Sequence, residues 1–98
     1  MKLDVYFYKT ESGSEPVREW LKSFTLIDKK TIGEDIMTVQ FSWPRGMPLV
    51  KNLKNSLWEV RSNISDKKIA RVIFFMSNNR MILVMGLSKK LQQLPKKI

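Results

Sequence analysis

Cysteine and histidine are both absent from this 98-residue chain. Without cysteine there is no disulfide, no thiolate nucleophile and no thiolate metal ligand; without histidine the commonest acid–base side chain and the usual zinc ligand are missing as well. Any catalysis falls to Lys, Arg, Glu, Asp, Ser or Tyr, and neither a metal nor a cofactor is expected. Long apolar runs are also lacking. Nothing approaches the roughly 18 residues of a membrane helix, and Met1-Lys2-Leu3-Asp4 does not open a secretory leader, because an acid follows so few apolar residues. The expected location is cytoplasmic, with no membrane partner.

Acidic charge is scarce in one half only. Residues 1–50 carry seven Lys/Arg and seven Asp/Glu, whereas residues 51–98 carry eleven against Glu59 and Asp66 alone, so the whole formal net charge of +9 lies in the second half. Clustered cations on a small domain repel one another unless an anion compensates them, which points to RNA, DNA or an acidic protein as partner. The length suits one domain and one modest core, and a 43% hydrophobic, 28% charged composition is that of a folded chain.

Asp4-Val5-Tyr6-Phe7-Tyr8-Lys9 is expected to be a strand, stopped by Glu11-Ser12-Gly13-Ser14. Val17, Trp20, Leu21 and Phe24 then recur at helical spacing, with Ser14 as the expected cap and Pro16 in the first turn. A second helix is expected over residues 26–39 on Ile32, Ile36 and Val39, giving a helical hairpin. Residues 42–52, with Pro44, Gly46 and Pro48, are expected to be a loop. Apolar runs at 57–62, 69–76 and 81–87 then predict a three-stranded antiparallel meander, with Asn78-Asn79 as a tight turn. The fold class is α+β, with the helices gathered on one side of the sheet.

Counting back from Asn78-Asn79 sets Ser77 opposite Arg80 and Arg71 opposite Gly86. A turn near Asp66 sets Arg61 opposite Arg71. The two arginines are then cross-strand neighbours, with Lys89 and Lys90 at the end of the last strand, and such like-charge proximity is destabilising unless it has a use.

Four ordered segments carry a resemblance. They are Trp43-Pro44 with Gly46-Met47-Pro48-Leu49-Val50-Lys51 and Leu53; Leu57-Trp58-Glu59-Val60-Arg61-Ser62; Ala70-Arg71-Val72-Ile73-Phe74; and Gly86-Leu87, Lys89-Lys90, Gln92 and Pro95. Together they resemble the HigB-type toxins of the phage-derived Gp49-like family, within the RelE/ParE toxin superfamily. The resemblance covers nearly the whole chain and implies a single RelE-like domain over residues 1–98. It further implies the toxin of a type II toxin–antitoxin system that enters the ribosomal A site and cuts mRNA. Such a toxin is held inactive by a HigA-like helix-turn-helix antitoxin, as a toxin–antitoxin heterotetramer. Matched motif by motif, it assigns Lys51 and Lys54 to the basic loop, Arg61 and Arg71 to the strands, and Lys89 and Lys90 to the terminal pair.

The chain departs from the family pattern in having Leu87 where Phe is usual and Leu91 and Leu94 around Gln92. It also runs out at Pro95-Lys96-Lys97-Ile98, where relatives continue into a charged C-terminal helix, so that helix is expected to be lacking. RelE uses a tyrosine near its C-terminus, whereas the last tyrosine here is Tyr8.

RNA is cut without metal when its 2′-hydroxyl attacks the adjacent phosphate, given a base, charge stabilisation and a proton for the leaving oxygen. A lysine among other cations releases its proton more readily and can act as the base. Lys54 is the residue assigned to that role, with Lys51 as the substitute. Arg61 and Arg71 suit charge stabilisation because guanidinium keeps its proton, and Lys90 or Lys89 supplies the acid or a second clamp. The expected catalytic set is therefore Lys54, Arg61, Arg71 and Lys90, with Lys51, Lys89, Arg45 and Trp43 in RNA binding; as plain structure, Arg61 would pair with Glu59 and Trp43 would cap the core. Lys67, Lys68, Lys96 and Lys97 are read as solvated charge. Two other readings compete with the endonuclease: a ParE-like toxin of DNA gyrase, and a catalytically impaired module that binds antitoxin or RNA.

Overall fold

The computed structural model describes residues 2–90. In chain order the elements are β1 (Asp4–Phe7), α1 (Pro16–Leu21), α2 (Leu26–Ser42), β2 (Val50–Lys54), β3 (Leu57–Ile64), β4 (Lys68–Ser77) and β5 (Arg80–Lys90). The strands form one mixed sheet in the order β1-β5-β4-β3-β2, with β1 parallel to β5 and every other pair antiparallel. The α+β class agrees with expectation; the three consecutive antiparallel strands β3, β4 and β5 lie within a larger five-stranded mixed sheet, with β1 and β2 at its edges. Residues 50–54, expected to be largely loop, form the edge strand β2, and β1 adds the opposite edge by pairing with the far end of the chain. The segment expected to lack the terminal helix lies outside the described residues.

Alternation along the strands gives the sheet one dry face. Val60, Val72, Phe74 and Leu83 are each at most 1% exposed, and cross-strand pairing of Val60 with Val72 and of Phe74 with Leu83 places them on the same side. Full burial of a side chain such as Phe74 contributes about 1.5–3 kcal/mol. Helix α2 covers this face with Ile32, Ile36 and Val39, and Val17, Trp20, Leu21 and Phe24 around α1 close it from the β5 side. The N-terminus is tied to α2 by paired hydrogen bonds, Leu3 N–H to the Gln40 carbonyl and the Gln40 side-chain amide to the Leu3 carbonyl.

The helix boundaries follow local chemistry with two corrections. Glu15, not Ser14, occupies the N-cap position of α1, and its side chain makes no capping bond; the Ser14 N–H is instead bonded to the Thr10 hydroxyl. Helix α2 begins at Leu26 as expected but continues three residues beyond Val39 to Ser42, where Trp43-Pro44 ends it. Its cap is Thr25, whose hydroxyl accepts from the Asp28 N–H at 3.3 Å.

Two contacts hold the layers in register. Gly86 lies directly beneath the Trp20 indole, so that any Cβ there would overlap the ring. Asp28, buried at the start of α2, accepts from both the Ser65 N–H (3.0 Å) and the Ser65 hydroxyl (2.7 Å) in the β3–β4 turn. The Ser65 backbone bond chiefly, with its hydroxyl, Thr25 and the Lys68 charge adding and burial opposing, holds the Asp28 carboxyl below its ordinary value of 3.8.

Replacing Gly86 with alanine overpacks this contact and should cost about 1–3 kcal/mol, read as a fall in Tm by thermal denaturation. Asp28, with a folded pKa below its unfolded value, adds stability that is fully present above pH 3.8 and lost as pH falls through the lowered value. Asp28→Asn should therefore melt lower than the parent at neutral pH, and the gap should close as pH drops below 3.8.

Candidate functional site

Because the helices cover one side, the alternate residues of β2–β5 share the other, open face. Arg61 lies directly opposite Arg71, as expected from the turns, and the β3–β4 ladder runs without a shift. The β4–β5 ladder does shift, between Ile73 and Phe74, and this bulge places Arg71 opposite Leu87 rather than Gly86. The one-residue difference moves Lys89, paired with Ile69, onto the arginine face and turns Lys90 to the helix-covered side beside Lys68 and Ala70.

On the other flank Lys51 lies opposite Glu59, which sets it diagonal to Arg61 at about 7–8 Å between Cα atoms. Lys89 stands in the same diagonal relation to Arg71. Lys51, Arg61, Arg71 and Lys89 thus form one diagonal of cations across four adjacent strands. Lys54 shares the face but pairs with Leu57, four residues short of Arg61 and so about 13 Å away along the strand. It begins a run of three left-handed residues, Lys54 (φ 76), Asn55 (φ 53) and Ser56 (φ 61), that reverses the chain into β3. The Asn52 side chain accepts from the Lys54 N–H at 2.9 Å and steadies the reversal.

Beneath the diagonal lies a carboxylate. Glu59 points to the open face yet its side chain is only 4% exposed, because both arginines lean over it: Arg61 Nη1 is 3.6 Å from Oε1 and Arg71 Nε is 3.4 Å from Oε2. Oε1 accepts no hydrogen bond among the described residues. The Arg61 and Arg71 side chains remain 25% and 31% exposed, so solvent reaches them. A cleft of about 320 Å³ adjoins Arg61, lined also by Thr31, Asp35, Pro48, Leu49 and Asn63. Towards β1 the face becomes apolar, with Tyr6, Met85 and Leu87 exposed.

The two remaining expected residues lie elsewhere. Trp43 packs edge-on against Trp58 and Phe74, at centroid distances of 5.3 and 5.7 Å, and so caps the core on the helix side of the sheet. Arg45 is exposed in the α2–β2 loop and makes no ion pair among the described residues. Sequence reasoning missed the cleft, whose α2 wall comes from tertiary packing, and underweighted Glu59, which its place two residues before Arg61 does signal.

Adjacent guanidiniums with free N–H edges, flanked by ammonium groups, have the charge and donor geometry that suits phosphate groups. The fold and this face define a small basic α+β domain with its helices behind the sheet and its clustered cations in front. Residues 19–98 match the family of phage-derived Gp49-like proteins, and the chain belongs to that family, one of RelE/ParE-like toxins. No curated protein and no solved structure matches the chain. Among the described residues no helix is long and apolar enough to cross a membrane.

Proposed function

We propose that this chain is the toxin of a type II toxin–antitoxin system, of HigB type, acting in the cytoplasm as a ribosome-dependent mRNA endonuclease. The observation that carries the reading is the cross-strand pair Arg61 and Arg71 on an open, cationic sheet face. Family membership supports the toxin class. In this reading a HigA-like helix-turn-helix antitoxin silences the toxin, the two forming a heterotetramer.

The chemistry needs no metal. The mRNA 2′-oxygen attacks the adjacent phosphorus and the bond to the 5′-oxygen breaks, leaving a 2′,3′-cyclic phosphate and a 5′-hydroxyl. Arg61 and Arg71 hold the non-bridging oxygens as negative charge builds on them. The placement of side chains alters the assignment of proton roles. Lys51, diagonal to Arg61, takes the 2′ proton, and Lys89, diagonal to Arg71, supplies the proton to the leaving oxygen. Lys54, further along the face, binds a neighbouring phosphate, and Lys90, on the opposite side, takes no part.

Arg71→Ala and Lys51→Ala should each relieve growth inhibition and lower mRNA cleavage on translating ribosomes by about 100-fold, while Lys90→Ala should cleave as the parent does. Arg71→Ala should also flatten the salt dependence of RNA binding by about 0.7 in log–log slope for each phosphate it no longer neutralises. Undiminished cleavage in Arg71→Ala refutes the reading, and gyrase trapped on cut DNA by the parent protein replaces it with a gyrase toxin.

A further inference from the structure

A buried carboxylate under a polyanion-binding surface is an electrostatic contradiction. Removing it would take the formal net charge one unit above +9 and, by Coulomb's law alone, strengthen the attraction for phosphate. Yet Glu59 is the most buried charged residue described, at 3% exposure, and stands between the two arginines that face the ligand. We infer that Glu59 is a positioning residue for anion recognition: it holds the Arg61 and Arg71 guanidiniums side by side as a preformed fork for an RNA phosphodiester. The inference rests on the reading of this face as RNA-binding.

Three observations carry it. The first is repulsion: Arg61 and Arg71 are direct cross-strand neighbours, where two like charges destabilise the pair and drive the long side chains apart unless an anion lies between them. Glu59 supplies that anion from two residues before Arg61 and diagonal to Arg71, and leaves the trio with one net positive charge. The second is distance. At 3.6 and 3.4 Å the contacts are longer than the roughly 2.7–2.9 Å of a charge-assisted hydrogen bond, so the carboxylate restrains the guanidiniums without consuming their donors. Each retains N–H groups for two phosphate oxygens. The third is depth. With its side chain 4% exposed, Glu59 lies below the guanidiniums, so an arriving phosphate meets the cations first and the carboxylate only through them.

The arrangement lowers the cost of recognition. Ordering a long side chain on binding costs conformational entropy, and here the carboxylate holds both arginines in place before the ligand arrives. An uncompensated pair would have to be drawn together by the ligand itself.

The test is Glu59→Gln, which keeps shape and removes charge, with folding checked by circular dichroism. Binding of a labelled single-stranded RNA oligonucleotide is measured by fluorescence anisotropy, and the Arg61 and Arg71 Nε–H resonances are followed by NMR in the RNA-free protein. The positioning role requires RNA binding about tenfold weaker in the folded variant despite its extra positive charge, and loss of the ordered Nε–H signals seen in the parent. Binding as tight as the parent's or tighter, or unaltered Nε–H signals, overturns it. A role confined to stability would lower Tm and leave RNA affinity in the folded protein unchanged. Should the glutamine variant not fold, Glu59→Asp, which keeps the charge but withdraws it by one methylene, has to show the same loss of affinity. Arg61 and Arg71 side chains in the parent that are as mobile by NMR relaxation as a free arginine overturn the idea without any variant. A parent protein that neither binds nor cuts RNA ends the functional reading instead, and the Nε–H comparison still decides what Glu59 does.

Discussion

Strict alternation along β3 and β4 is the constraint from which both halves of the molecule follow. A strand that turns Val60 or Val72 inward must turn Glu59, Arg61 and Arg71 outward, because successive side chains take opposite faces. Burying one set beneath α1 and α2 therefore presents the other set to water. The core and the cationic diagonal are two sides of a single ladder, and a slip of one residue would drive arginines into the interior and valines onto the surface. Hydrophobic burial thus holds the charged face in place without touching it.

The open face is unusual in what it mixes. Its β2–β4 portion is cationic around a sunken carboxylate, while its β5–β1 portion exposes Tyr6, Met85 and Leu87. Burial of Glu59 costs desolvation, which two flanking guanidiniums offset through the stronger electrostatics of a partly dry site. Glu59 thereby acts as a counterion built into the sheet. The arginines need no outside ion to stay together, and their upper edges stay open.

How much of this was legible in the sequence depended on what each residue's neighbours demanded. Arg61 opposite Arg71 could be counted from the turn near Asp66, because Asp66 and Lys67 adopt the left-handed backbone such a turn needs and the ladder between the arginines has no irregularity. The same counting failed one strand further on. The bulge at Ile73/Phe74 inserts a residue that no turn signal announces, and it exchanged Lys90 for Lys89 on the arginine face. Strand β2 was hidden for another reason: Pro44, Gly46 and Pro48 spread a loop signature over the neighbouring residues, and an edge strand reading Val-Lys-Asn-Leu-Lys has little β propensity of its own. Its identity comes from pairing with β3. The apolar spacing of α1 and α2 was enough to place both helices, whereas the cap position of α1 falls at Glu15, one residue after the expected Ser14 and without a side-chain capping bond.

The pairing of β1 with β5, the first and last strands among the described residues, has a consequence for how the protein comes into being. Asp4 finds its partner at Arg80, so β1 waits unpaired while nearly all of the described chain is synthesised, and the sheet closes only after β5 has arrived. Such long-range closure is slow compared with the local β3–β4 and β4–β5 hairpins, which can form as soon as they emerge. Lys89 belongs to that late strand, so the cationic diagonal is completed in the same event that pairs β5. A chain stopped before Arg80 carries Lys51, Arg61 and Arg71 but not Lys89, so the diagonal is one cation short until β5 has paired.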